Sequence, residues 1–229
     1  MSSEFLFIMS GLDKIYEWDL ILLRLINVEW TSDWLNVIML LVSDFGLFKW
    51  PLVVGGIGLL IWGKFKGRLF VFSLLWALLI GDAGINSNIK KTINRPRPHE
   101  SVENINHVRR EGWQLVVEPS KPRRVEKGRS MTSGHACNNV AIALLVTLIY
   151  GGWFRLIWLW AALVSYSRIY LGNHFPSDII VSYFVAGFYT IGICYVAQFL
   201  WNKMGKWKWP QLYNKHQQLY KWRNLLVRS

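Results

Sequence analysis

The sequence predicts an all-α membrane protein: a bundle of six transmembrane helices, an amphipathic N-terminal helix lying in the interface, and a long outer loop between spans three and four. Three observations lead there. Of the 229 residues, 52% are hydrophobic, and they gather into blocks separated by short charged connectors. About 20 apolar residues suffice to cross a hydrocarbon core of roughly 30 Å. The chain also holds 14 tryptophans, many at block edges: Trp30, Trp34, Trp50, Trp62, Trp153 and Trp201. Amphipathic rings collect in that half-wet zone. Finally, the formal net charge is +12 and sits mostly in connectors and the tail. Soluble globular, disordered and collagen-like classes are excluded by this distribution.

Residues 12–28 mix apolar side chains with Asp13, Lys14, Glu17, Asp19 and Arg24, the pattern of a helix lying on a bilayer surface. Crossings are expected at Ser32–Gly46, Trp50–Trp62, Leu69–Ile89, Asn138–Tyr150, Phe154–Leu171 and Asp178–Trp201. The first, second and fourth are short and draw on flanking residues. The expected division is 1–31 as the interfacial segment, 32–201 as the six-span domain with its outer loop at about 90–132, and 202–229 as a basic tail. Met1 to Ser10 lacks a basic leader and contains Glu4, so no cleaved signal peptide is expected there. Cys137 and Cys194 fall in apolar stretches and are expected as packed thiols.

Lys and Arg in the connectors set the orientation. Lys64, Lys66 and Arg68 join spans two and three, and Arg155 joins four and five. The tail carries Lys203, Lys206, Lys208, Lys215, Lys221, Arg223 and Arg228 without an acid. With six spans these regions share one side with the N-terminus, which the positive-inside bias makes cytoplasmic. An inner (plasma) membrane protein with both termini cytoplasmic is expected. The loop from Lys90 to Ser130 then falls on the outer, periplasmic face, although it holds eleven cations, Lys127 among them, against five glutamates. A translocated basic loop is explained by an anionic ligand or by anionic headgroups.

Three fragments decide between these. The first is Lys90-x6-Arg97-Pro98, where Pro96 and Pro98 stop the helix and extend the chain among forked guanidinium donors suited to phosphate. Alone it reads equally well as a basic stop flanking a span. The second is Ser133-Gly134-His135, opening span four. A helix start of this kind offers backbone N–H groups to an anion, and Ser133 can also cap the helix. His135 there is either structural or a proton donor beside the anion. The third is Ser167-Arg168-x5-His174-x3-Asp178. Arg168, high in a membrane helix, needs an anionic partner. Asp178, four residues after His174, either caps the last helix or fixes the imidazole tautomer, leaving the other ring nitrogen nucleophilic. Parity of the spans brings all three fragments to the outer face. Three cations, two histidines, a carboxylate and a helix N-terminus in one place suit phosphoryl transfer: oxygens to clamp, a nucleophile and a proton donor.

Taken together, in this order and spacing, the fragments resemble the signature of the type-2 phosphatidic acid phosphatase superfamily. The resemblance covers about Phe70 to Trp201. One departure is Thr132, where the second motif usually has proline. The resemblance implies metal-free, cofactor-free hydrolysis of a lipid phosphate at the outer leaflet. His174 would attack phosphorus and form a phosphohistidine, Asp178 would orient it, and His135 would protonate the leaving oxygen. Lys90, Arg97, Ser133, the Gly134 N–H and Arg168 would hold the phosphoryl oxygens. Undecaprenyl diphosphate, phosphatidylglycerophosphate, phosphatidate and lipid A phosphates are the candidate substrates. A phosphotransferase using a lipid or sugar hydroxyl is the enzymatic alternative, and a lipid-binding or transport protein the non-enzymatic one.

Other residues receive secondary expectations. Asp82, Asn86 and Lys90 share one helix face, with Asp82 expected to tether helices. Arg95, Arg109, Arg110, Arg123 and Arg124 are expected to select the substrate, as a second phosphate contact, a funnel or a lid. Partners are the bilayer and the lipid substrate. No metal-ligand spacing occurs, no nucleic-acid motif accompanies the charge, and no obligate protein partner is expected.

Overall fold

A computed structural model describes residues 3–111, 114–126 and 128–225. Lys127 of the outer loop, Arg228 of the tail, and Met1 and Ser2 lie outside the described residues.

Helices dominate. Helix α1 (Ser3–Arg24) runs into a π-helical turn, Leu25–Glu29, and is followed by α2 (Asp33–Ser43) and α3 (Phe45–Ile61). Helix α4 (Lys64–Trp76) continues through a π-helical stretch, Ala77–Asn86, into α5 (Ser87–Ile93). The single turn α6 (Pro98–Ser101) precedes strands β1 (Asn106–Glu111) and β2 (Gln114–Pro119). Then come α7 (Gly134–Ile149), a 3-10 turn Gly152–Leu156, α8 (Ile157–Tyr170) and α9 (Pro176–Leu200). Past a second π turn, Trp201–Gly205, lie the short helices α10 (Lys206–Lys208) and α11 (Pro210–Lys215).

Two helical stretches, Lys64–Ser101 and Pro176–Lys208, are long and apolar enough to cross a bilayer. The pair α2 and α3, interrupted at Asp44, makes a third if it is one span. Helix α7 is apolar but has 16 residues, and α8 has 14. Every expected crossing is therefore helical, while the count of six goes beyond length and composition. Burial fits a lipid-facing exterior. Helix α3 buries none of its 17 residues, and Phe184 and Phe188 on α9 stand 76% and 81% exposed. Apolar surface on that scale calls for an apolar solvent.

The outer loop departs from the all-α expectation. β1 and β2 pair antiparallel from Asn106↔Pro119 to Glu111↔Gln114. His107, Arg109 and Glu111 alternate with Val108 along β1, and only Val108 is buried. A strand whose polar face is charged and whose apolar face shows one valine gives little period-two signal among basic residues.

The chain forms two compact units, each drawn from three stretches of sequence. One comprises residues 1–44, 88–135 and 163–182. Its core packs Met39, Val108, Tyr170 and Leu171 together, with Ile26 and Leu35 against them. Helix α1 belongs here and departs from a purely interfacial role. Asp19, Leu23 and Asn27, spaced four apart on one face, are buried, whereas Ile15, Trp18 and Ile21 are exposed. Asn27 and Asn106 bond reciprocally: Asn27 Nδ2 donates to the Asn106 carbonyl at 2.8 Å, and the Asn106 N–H donates to Asn27 Oδ1 at 2.6 Å.

The other unit comprises residues 45–87, 136–162 and 183–229. One of its cores joins Ala77, Val140, Leu144 and Ala186, and the other joins Leu69, Leu145, Leu148 and Tyr220. Gly81 lies so close to Tyr189 that a Cβ would come within 2.3 Å of the ring. Asp82 accepts from Asn86 at 3.4 Å and from Asn138 at 3.3 Å, a tether among helices of this unit. The tail folds back here as well: Tyr220 is buried against Ser73, and the Lys221 N–H donates to the Leu148 carbonyl at 2.8 Å. Cys137 and Cys194 are buried free thiols.

Candidate active site

All the candidate side chains fall in the first unit. The turn holding His174 follows from its residue types. Helix α8 ends at Tyr170, and Gly172 takes a left-handed φ of +70°, which a side chain rarely adopts. The N–H groups of Asn173 and His174 both donate to the Arg168 carbonyl, at 3.0 and 3.2 Å. Pro176 then opens α9, where its missing N–H costs nothing. His174 is thus wedged, buried, between two helices.

Nδ1 of His174 lies 2.7 Å from the carbonyl oxygen of Ser130. A carbonyl only accepts, so Nδ1 carries the proton and Nε2 keeps its lone pair. This differs from the expected direct contact with Asp178, whose Oδ2 is 3.9 Å from Nδ1. The carboxylate acts one residue removed. Its Oδ2 accepts the Ser130 hydroxyl at 2.5 Å and the Phe175 N–H at 2.9 Å, and its Oδ1 accepts Arg95 at 2.7 Å. Asp178 therefore caps α9 and holds Ser130 at once, and Ser130 holds the imidazole.

Burial pushes the His174 imidazole well below its ordinary pKa, and the charges of Arg168, Arg97 and Lys90 push the same way. Lys90 sits in the last turn of α5, and Arg97 on the extended residue before α6. Arg168 donates through Nη1 to Ser43 Oγ, and its buried Nε has no partner. Among the described residues none of these three cations is ion-paired with a carboxylate. A buried, uncompensated guanidinium N–H is a place for an anionic oxygen. Ser133 is buried, and its N–H donates to Ser182 Oγ at 2.8 Å. Gly134 begins α7, and His135 lies in the first turn of that helix.

A cavity of about 460 Å³ adjoins this arrangement, lined by Arg168, Ser43, His107, Arg109, Arg110 and Asn173 among others. The expected substrate-selecting cations divide here. Arg95 is engaged within the protein: it bridges Asp178 and Asp19, each at 2.7 Å, and its guanidinium lies 4.0 Å from the Phe175 ring centre. Two buried carboxylates need a cation between them. Arg109 and Arg110 do line the cavity, Arg109 pairing with Glu111 and Glu118, and Arg110 with Asp44. Arg123 pairs with Glu100, and Arg124 is exposed; neither lines the cavity.

Several participants escaped the sequence reading. Ser130, Ser177, Ser182 and Asp19 are common polar residues with no spacing to betray them. His99 and His107 stack with ring centres 3.9 Å apart, and His99 Nδ1 lies 2.8 Å from the Gly172 carbonyl. Burial lowers the pKa of both, that of His107 to about 4. Among the described residues no three His, Cys, Asp or Glu side chains are grouped as a metal site requires.

Cations gather here about a buried imidazole, on a scaffold with apolar helices long enough to cross a bilayer. Residues 70–203, more than half of the chain, match the model of the PAP2 superfamily, and the chain belongs to that superfamily. It is 31% identical over 139 residues to a lipid A 4'-phosphatase of Porphyromonas gingivalis, covering 58% of this chain and 55% of that one. With the lipid A 4'-phosphatase of Bacteroides thetaiotaomicron it shares 38% identity over 63 residues, 27% of this chain and 28% of the other. The chain thus spans about half or less of the length of these relatives. The crystal structure of Aquifex aeolicus LpxE superposes with a TM-score of 0.56 at 25% identity, covering 76% of this chain and 93% of that one. A transmembrane PAP2-type phosphatidylglycerolphosphate phosphatase from Bacillus subtilis gives 0.53 at 22% identity, covering 78% and 85%, a likeness of fold.

Proposed function

We propose that the protein is a lipid phosphatase of the inner membrane, with six crossings, both termini cytoplasmic and its site on the periplasmic face, that hydrolyses a glycolipid phosphate of the lipid A type. The observation that carries the reading is the Ser130 carbonyl on Nδ1 of His174, which leaves Nε2 as a lone-pair nucleophile among unpaired cations. Nε2 attacks phosphorus in line with the ester oxygen. The P–O bond breaks, and His135 gives its proton to the departing alkoxide. Water then attacks the phosphohistidine, losing a proton to His135 as the P–N bond breaks, and inorganic phosphate leaves. Lys90, Arg97, Arg168, Ser133 and the Gly134 N–H bear the charge on the phosphoryl oxygens, most strongly in the transition state. The names of the relatives favour a lipid A phosphate, and a cavity lined by Asn173, Ser43 and arginines suits a sugar headgroup better than an acyl chain.

The test is phosphate release by purified protein from lipid A, phosphatidylglycerophosphate, phosphatidate and undecaprenyl diphosphate, with His174→Ala as control. Release from lipid A, matched to substrate lost, abolished in the control and insensitive to EDTA, is expected. Loss of activity on chelation, restored by a divalent ion, would overturn the metal-free mechanism.

A further inference from the structure

We propose that Asp19, on the N-terminal helix, is a positioning residue for the nucleophile, acting through Arg95, Asp178 and Ser130. The inference rests on reading His174 as the nucleophile. Asp19 is 3% exposed, an environment in which a carboxylate needs its charge matched and its oxygens bonded. Both conditions are met by the loop that carries the site. Oδ2 accepts Arg95 Nη2 at 2.7 Å and Ser177 Oγ at 2.5 Å, and Oδ1 accepts the Ser177 N–H at 2.7 Å. That N–H is one of the orphan donors of α9, so Asp19 caps from outside the helix that bears Asp178.

Arg95 spans the two acids. Nη1 reaches Asp178 Oδ1 at 2.7 Å and Ser177 Oγ at 2.8 Å while Nη2 reaches Asp19, and the Phe175 ring flanks the plane. A planar fork with a carboxylate on each terminal nitrogen has one orientation, and Asp178 inherits it. The Arg95 backbone takes part as well: its carbonyl accepts the Ser130 N–H at 2.9 Å. Arg95 thus fixes Ser130 from its backbone and, through Asp178, from its side chain. The Ser130 carbonyl in turn sets the His174 tautomer and ring plane. Removing the charge of Asp19 frees half of the fork, leaves Ser177 underbonded and loosens the line that ends at Nδ1. Among the described residues no hydrogen bond or ion pair joins Lys90, Arg97 or Arg168 of the proposed phosphate cradle to Asp19, so substrate binding should survive.

The test compares wild type, Asp19→Asn and Asp19→Glu, purified in detergent. Read together are kcat and KM for phosphate release, inhibition by inorganic phosphate, and histidine tautomers by 15N NMR. In Asp19→Asn, kcat should fall about ten- to a hundredfold, as misplacing a reacting group does. KM and the phosphate inhibition constant should stay within about twofold. His174 should change from a single Nδ1–H form to a mixture, and Asp19→Glu should recover part of kcat. An unchanged kcat with an unchanged tautomer, or kcat and phosphate binding lost in parallel, would overturn the inference. If Asp19→Asn does not fold, Ser177→Ala answers in its place, with a several-fold fall in kcat at constant KM supporting the role and an unchanged kcat refuting it. A wild type that releases no phosphate from any lipid would refute the proposed function, and the NMR comparison would still decide the role of Asp19.

Discussion

The Nδ1–H of His174 donates to a backbone carbonyl, an acceptor that no pH change can remove. Turnover should therefore respond to protonation at Nε2. Burial, with Arg168, Arg97 and Lys90, holds that event below the ordinary histidine value of about 6.5. The folded pKa is depressed, so the neutral nucleophile is intact at neutral pH and is lost only on acidification past that value. His135 must carry a proton to act as acid, so activity also falls at high pH. A plot of log kcat/KM should be bell-shaped, with its acid limb displaced below about pH 6.5. A profile with no alkaline fall up to about pH 9 would refute the His135 assignment, and an acid limb above about pH 6.5 would refute the His174 assignment.

At the level of elements, the turns do the positioning, and they were unequally legible. The fragments around Lys90, Ser133 and His174 could be read because each joins a helix breaker or starter to a chemically unusual side chain: Pro96 and Pro98, Gly134, Gly172 and Pro176. Asp19 could not, because an acid on an amphipathic helix looks like any solvated charge until the loop that buries it is known. The hairpin hid for a similar reason: apart from buried Val108, its side-chain contacts are a histidine stack, one cross-strand pair, Arg109–Glu118, and one same-strand pair, Arg109–Glu111, which leave no apolar rhythm. These elements meet at Gly172, where a Cβ would lie 2.7 Å from the Asn106 carbonyl at a φ of +70°. Gly172→Ala should cost about 1–3 kcal/mol and lower the melting temperature, since both strain and clash fall on the same atom. The stack makes a separate prediction. His107, with a folded value of about 4, faces His99 and the positive charges of Arg109, Arg97 and Arg123. Between its ordinary value of about 6.5 and 4 the unfolded chain takes a proton that the folded one refuses, so stability should fall as pH drops through that window. Thermal melts in detergent from pH 7 to 4 should show a shallower decline for His107→Gln than for wild type; equal slopes would refute the assignment.

For the whole molecule, charge and apolar area impose opposite demands, and the proposed topology is how they are reconciled. The connectors at Lys64–Arg68 and Arg155 and the basic tail obey the positive-inside rule only if the loop carrying Lys90, Arg97 and the hairpin lies on the other side. That arrangement leaves eleven cations on a translocated loop, a cost that makes sense if several are neutralised by a phosphate and the rest by local acids. The ion pairs of Arg109, Arg110 and Arg123 supply the second half of that balance. Both native cysteines are buried, so a single introduced thiol can report sidedness with little background. Arg124→Cys and Lys208→Cys place thiols on exposed residues of the outer loop and of the tail. In right-side-out vesicles a membrane-impermeant maleimide should label position 124 directly, and position 208 only after permeabilisation. In inverted vesicles the pattern should reverse. Labelling of both positions from the same side would mean an even number of crossings between them, where the proposed spans from Asn138 to Trp201 number three, and it would remove the parity on which a periplasmic site depends.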